Sequence, residues 1–304
     1  MIWHQLALIK RELWEHRSIY VTPAAIAVVI ALTMLTGQVS ISGFDEIVDL
    51  AIVGATNADE AHRRIALTGL LAVVMSIFAF GAGIVMVFYT LDTLYAERKD
   101  KSILFWRSLP VTDAETVISK LLTAAFVIPM AFLAAVIVTH LVVLSLASIW
   151  ILTKGGNAGH LIWSAAPLFD TWAAGFILAL AIPLWLAPFF GWFLFVSAFT
   201  KRSPLLIAFL PIFILPMLER MLIGSHLFYD AIFVRTFKPP LASVDISVLF
   251  DDDRSFDVTT DAISILAALD LSRFAASPSL WAGLVVCGLL TTAAIYMRRY
   301  RDDS

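Results

Sequence analysis

Residues 94–111 read LYAERKDKSILFWRSLPV. Glu97 to Lys101 sets five charged residues in a row, Phe105 and Trp106 follow, and long apolar runs flank the stretch on both sides. Charge at this density is costly inside a bilayer, so the stretch marks a loop between two membrane crossings. Its side of the membrane sets the direction of the other crossings.

The whole chain has the same character. Its 304 residues are 60% hydrophobic and 15% charged, with a mean hydropathy of +0.89, which is outside the usage of soluble globular domains. The fold class this implies is an all-α membrane protein. A lone cysteine, Cys287, lies in an apolar run, which rules out an internal disulfide and a thiolate metal cluster. A bilayer core about 30 Å thick needs roughly 20 apolar helical residues. Long uncharged runs, extended by their flanking turns, place six spans at 19–38, 65–94, 117–152, 171–200, 203–220 and 278–297. The fifth carries Pro204, Pro211 and Pro216, so it is expected to be a broken helix.

Lysine and arginine give the orientation. With the N-terminus inside, the short inner segments hold Lys10, Arg11, Arg17, Arg98, Lys99, Lys101, Arg107, Lys120, Lys201, Arg202, Arg298, Arg299 and Arg301, most of the 21 basic residues. Both termini are therefore expected in the cytoplasm, and the quoted stretch, segment 95–112, is expected to join spans 2 and 3 there. No small-residue cleavage pattern follows the first apolar run, so a cleaved signal peptide is not expected. Residues 1–18 precede the first span. In them Ile2, Leu6, Ile9 and Leu13 share one helical stripe beside Trp3 and Trp14, with Gln5, Arg11, Glu12 and Glu15 facing elsewhere. This suits an interfacial helix in the headgroup layer.

Within 95–112, Pro110 disfavours helix at the residue before it. Thr112 with Glu115 then forms a capping box, and Asp113 suits the positive end of a new helix. A short helix of about 97–109 is expected between the two turns. Its aromatics ringed by charge are what a protein interface needs, since buried Trp and Arg anchors dominate binding energy. Anchoring of Phe105 and Trp106 at the membrane surface is the competing reading.

Carried by Glu97-Arg98, Leu109-Pro110-Val111, Glu115 and Lys120-Leu121, the chain resembles the permease subunits of ABC-2 type transporters, the membrane halves of type V ABC exporters. The resemblance implies a coupling helix between spans 2 and 3 that docks on a separate ATP-binding subunit, through Glu97, Arg98, Lys99, Lys101, Ser102, Phe105, Trp106 and Arg107. Many members carry Gly-Thr where Lys101-Ser102 stands here. It further implies two ATP-binding subunits per complex, which hold ATP and Mg, and a second permease subunit, as a homodimer or similar heterodimer. The setting it implies is the bacterial cytoplasmic (inner) membrane. Re-entrant helices are expected in the outer region 221–277, where Met221 to Phe233 is too short to span.

Chemistry of its own is not expected in this chain. No Gly-Lys pair exists for a P-loop, no His-Glu-x-x-His occurs, and His140 reads as a satisfied interior histidine. Neither catalytic residues, a cofactor site, a metal site nor nucleic-acid binding is expected. Asp251, Asp253, Ser255 and Asp257 alternate like a calcium loop, but Phe256 stands where that loop needs glycine. The acidic stretch reads better as a solvated outer lid, with a surface helix at about 263–271. Three charged residues at span ends, Asp92, Glu219 and Arg220, are gate or hinge candidates or plain helix-end markers. The expected function is an export permease for a hydrophobic or amphipathic drug, lipid or peptide. An ATP-independent channel, a structural scaffold and an intramembrane enzyme are the rivals.

Overall fold

A computed structural model describes residues 2–36, 60–103, 110–241 and 264–300. The described residues are helical, without strands, and six helices are long and apolar enough to cross a membrane. The helix expected ahead of the first span is α1 (Ile2–Glu15), and the first crossing is α2 (Ser18–Thr36). The second is α3 (Glu60–Lys99), whose 40 residues extend about 60 Å, twice a bilayer core. The third begins as α4 (Asp113–Leu122), passes a π turn at Thr123–Val127 and continues as α5 (Ile128–Thr153). The Thr112–Glu115 capping box is present in full.

The fourth crossing differs from expectation. It is two helices, α6 (Leu168–Trp185) and α7 (Ala187–Phe199), hinged at Leu186. Pro188, in the first turn of α7, has no N–H and its ring opposes the carbonyl four residues back. The fifth crossing, α8 (Pro204–Leu222), corrects the expected break: it runs unbroken with Pro211 and Pro216 inside it. Pro204 takes the first turn, where no N–H is needed. The last two helices are α9 (Leu271–Ala276) and α10 (Pro278–Tyr300). The surface helix expected at 263–271 is instead a turn at 265–268, and α9 starts where that helix was to end, because Asp270 caps it by accepting from Arg273 N at 2.8 Å. Residues 227–237 form one helical segment, with a π turn at Asp230–Val234.

Three apolar contacts order the bundle. Ile19, Phe78, Phe132 and Phe190 unite α2, α3, α5 and α7. Gly81 of α3 lies against Ile26 and Phe132, where a Cβ would meet the Ile26 side chain at 2.7 Å. At the far end Leu67, Leu144 and Leu161 close a separate cap over the extended ends of α3 and α5. Along its length α10 packs on α7, so tightly at Gly191 that a Cβ would sit 3.0 Å from the Cα of Cys287.

Candidate functional site

The residues flanking the quoted stretch meet in a buried charged neck. Tyr89, Thr93 and Glu97 recur every four residues and so form one stripe along the end of α3. Lys120 comes from α4, Glu12 from α1 and Arg298 from the last turn of α10. Lys120 is 0% exposed, Glu12 1%, Arg298 4% and Glu97 5%. Removing this many charges from water is costly unless each is paired and hydrogen-bonded.

Every one of them is. Lys120 Nζ lies 2.8 Å from Glu12 Oε1, 3.0 Å from Glu97 Oε1 and 2.7 Å from Thr93 Oγ1. The other oxygen of Glu12 accepts from Tyr89 Oη at 2.8 Å and Thr93 Oγ1 at 3.3 Å. Glu97 also accepts from Arg298 Nη1, and from Arg11 Nη2 at 3.2 Å. Arg298 Nε reaches Asp113 Oδ1 at 2.9 Å. Glu12, Glu97, Asp113 and, at the exposed edge, Glu15 thus meet Arg11, Lys120 and Arg298 within one cluster. Burial pushes the Glu12 carboxyl up, but the Lys120 ammonium and the hydrogen bonds from Lys120 and Tyr89 outweigh it and hold the group below its ordinary value. Burial pulls the His16 imidazole below its ordinary value, partly offset by Glu12. Glu12, Glu15 and His16 could form a small metal-ligand group, but Glu12 already holds Lys120.

The orientation of α1 divides the apolar stripe expected from the sequence. Its polar side, Gln5, Arg11 and Glu12, faces the protein, and Leu6 (51% exposed) and Trp14 (71%) face out. The neck needs Glu12, and Leu8 and Leu13 turn inward with it, Leu13 against the core, so Leu6 and Trp14 are left outside beside Lys10 and Glu15.

The expected coupling residues divide. The helix expected from Glu97 does not start there: α3 runs through Glu97 to Lys99, a turn follows with Lys101 at φ +57°, and helical geometry resumes at 102–103. Glu97 points into the neck. Arg98 Nη2 donates to the carbonyls of Ser197 at 2.5 Å and Thr200 at 2.7 Å, a cation on the carbonyl end of α7. Lys99 and Lys101 are exposed, and Ser102 Oγ donates to Glu97 O at 3.2 Å. Phe105, Trp106 and Arg107 lie outside the described residues, as does the 242–263 stretch with its calcium-loop pattern and acidic lid.

The gate candidates divide too. Asp92 and Arg220 are exposed. Glu219 is buried and accepts from Ser225 Oγ at 2.6 Å and from the amides of Leu227 and Phe228 at 2.7 Å, anchoring the start of the 227–237 segment. Near the end of that segment, Arg235 Nε and Nη2 donate to Trp185 O at 3.0 and 2.8 Å, and Arg235 Nη1 donates to Ser279 O at 2.8 Å. The hinge at Leu186 leaves the Trp185 carbonyl without a helical donor, and Arg235 supplies one. His140 is satisfied on both nitrogens: Nε2 lies 3.1 Å from Leu71 O, and Nδ1 accepts from Trp172 Nε1 at 3.2 Å. This is the interior histidine the sequence suggested.

The sequence reading missed Glu12, Asp113 and Arg298 as members of the site. A signal existed for the neck: the spacing of Tyr89, Thr93 and Glu97, and a lysine at 120 just inside an apolar helix. No local pattern marks Arg298, whose partners lie 185 and 201 residues away.

Residues 65–164 match the family model described as ABC-2 family transporter protein. The match starts in α3, spans Glu97, Asp113 and Lys120, and ends just past the π turn at Gly159–Trp163. No curated protein and no solved structure matches the chain. The match supports the resemblance to ABC-2 type permeases, a family of membrane transport components, and with the six apolar helices it indicates a multi-pass membrane protein.

Proposed function

We propose that this ABC-2 type permease receives an ATP-driven stroke at residues 95–112 and passes it to its spans through the charged neck. The family generally works with ATP-binding subunits. The observation that carries the reading is the position of Glu97, buried among Lys120, Arg298 and Arg11 while Lys99 to Lys101, the next turn of chain, is exposed. A partner would grip the exposed residues, Lys99, Lys101 and the Phe105-Trp106-Arg107 aromatic stretch. Glu97 and Arg98 would act inward, on α4 and α7. ATP binding can bias the permease only through contacts that differ between its two states, and the root of this segment joins α1, α3, α4 and α10.

In this reading ATP and Mg sit in two ATP-binding subunits, a second permease completes the path, and both termini face the cytoplasm of a bacterial inner membrane. The cargo is hydrophobic or amphipathic. A cleft of about 290 Å³ between α3, α5 and α6, lined by Met75, Phe78, Phe132, Val136 and Leu178, supports an apolar cargo. Asp92, beside the neck, is the hinge position, and Glu219 with its 225–228 turn is the gate, Arg220 lying exposed beside it.

The test is the Lys99→Glu, Lys101→Glu double variant, purified with the ATP-binding subunit and reconstituted in liposomes. Loss of co-purification or of ATP-dependent transport is expected. Normal assembly and transport would overturn the docking assignment, and flux that persists without ATP would favour the channel reading.

A further inference from the structure

We infer that Arg298 staples the neck of the 98–112 segment, and that α10 carries the stroke from there to the 227–237 segment at its other end. The inference rests on the coupling reading above. Glu97 sits in the last turn of α3 and Asp113 opens α4, and one guanidinium holds both points: Nη1 on Glu97 Oε2 and Nε on Asp113 Oδ1. Arg298 is buried, so the fork works out of water, where charge-assisted hydrogen bonds are strong and directional. Its planar fork meets the two carboxylates from two separate nitrogens, Nη1 and Nε, at a fixed angle, where a lysine at 298 would have to serve both from one atom.

The other end of α10 is fitted just as closely. Arg235 Nη1 donates to Ser279 O at 2.8 Å, and Gly283 lies under the guanidinium with no room for a Cβ. The same arginine stacks over the Trp185 ring at 4.3 Å and holds the Trp185 carbonyl at the hinge of the fourth crossing. Ser279 and Arg298 are separated by roughly 28 Å of one helix at 1.5 Å per residue. Between them α10 is packed against α7 backbone to backbone at Gly191 and Cys287, which favours movement as a rigid body over bending. Spreading the neck would therefore pull α10, and α10 would pull Arg235 with its segment and the hinge. Arg298 and Arg235 are positioning residues in this scheme; neither touches cargo or nucleotide.

The experiment uses the permease assembled with its ATP-binding subunit in lipid nanodiscs, with Cys287→Ala and a reporter at Tyr229→Cys, an exposed position on the 227–237 segment. The rate of labelling by a membrane-impermeant maleimide is measured before and after trapping with ADP and vanadate. Trapping is expected to change the rate about fivefold or more in the parent, and the change should vanish in Arg298→Gln and in Arg298→Lys while the ATP-binding subunit still co-purifies. Asp113→Asn opens one arm only; it is expected to weaken the response, and serves if Arg298 variants do not fold. An undiminished response in these variants, or no response in the parent, overturns the inference. The docking reading fails separately, when Lys99→Glu, Lys101→Glu leaves assembly intact, whatever the reporter shows.

Discussion

The neck and the 227–237 segment both hold ionised groups where helices meet, and they neutralise them by different means. In the neck, carboxylates meet ammonium and guanidinium groups drawn from α1, α3, α4 and α10. Around 227–237, Glu219 is held by two amides and a hydroxyl, and Arg235 by two carbonyl oxygens and a tryptophan ring. Ion pairs are mutual, so moving one member unbalances the rest. Backbone dipoles are fixed to their helix and hold a charge without answering it. The neck therefore suits a shared switch, and the 227–237 segment suits a fitted joint.

Single substitutions test that contrast. The largest effect is expected from Lys120→Met, which removes the ammonium from Glu12 and leaves Glu97 to Arg298 and Arg11; losing one partner of a buried pair costs about 3–5 kcal/mol, read as a lower thermal midpoint in nanodiscs. Adding Glu12→Leu should restore part of the loss, and failure to do so would mean the pair is not coupled. Next comes Gly283→Ala, whose Cβ displaces the Arg235 guanidinium and its bond to Ser279; about 1–2 kcal/mol is expected, with the neck unaffected. Tyr89→Phe removes one hydrogen bond to Glu12 and should cost about 0.5–1.5 kcal/mol by the same measurement.

Acidification should be smaller still. The His16 value is lowered by burial, so the unfolded chain binds its proton first, and stability falls as pH drops below about 6.5. Glu12, also lowered, contributes above the ordinary glutamate range of about 4.3 and is lost only as pH falls through its depressed folded value. Between pH 7 and 5 the decline should therefore disappear in His16→Gln; a decline that persists would place its source elsewhere in the neck.

Two pairs of prolines show where the sequence could be read and where it could not. Pro183 and Pro188 flank a hinge, whereas Pro211 and Pro216 sit inside an unbroken helix. Proline chemistry is the same in both. At the hinge, Arg235 arrives from 50 residues away to take the Trp185 carbonyl, and this partner has no local signature. In α8, Pro211 and Pro216 withhold donors from the carbonyls of Ile207 and Ile212, and the helix continues through both. The Thr112–Glu115 box was legible because both partners lie within four residues. The inward turn of Glu97 and of α1's polar face was not, because each depends on a lysine or arginine distant in the chain.

By itself the sequence determined the solvent of this protein and therefore its helices: apolar runs long enough for a bilayer must close their own backbone hydrogen bonds, and charge clusters must fall between them. Tertiary structure alone decided which charges face each other. An ion pair is made by side chains brought within about 3 Å, and the three-helix convergence on Glu97 joins residues from both ends of the chain, a proximity no stretch of sequence encodes.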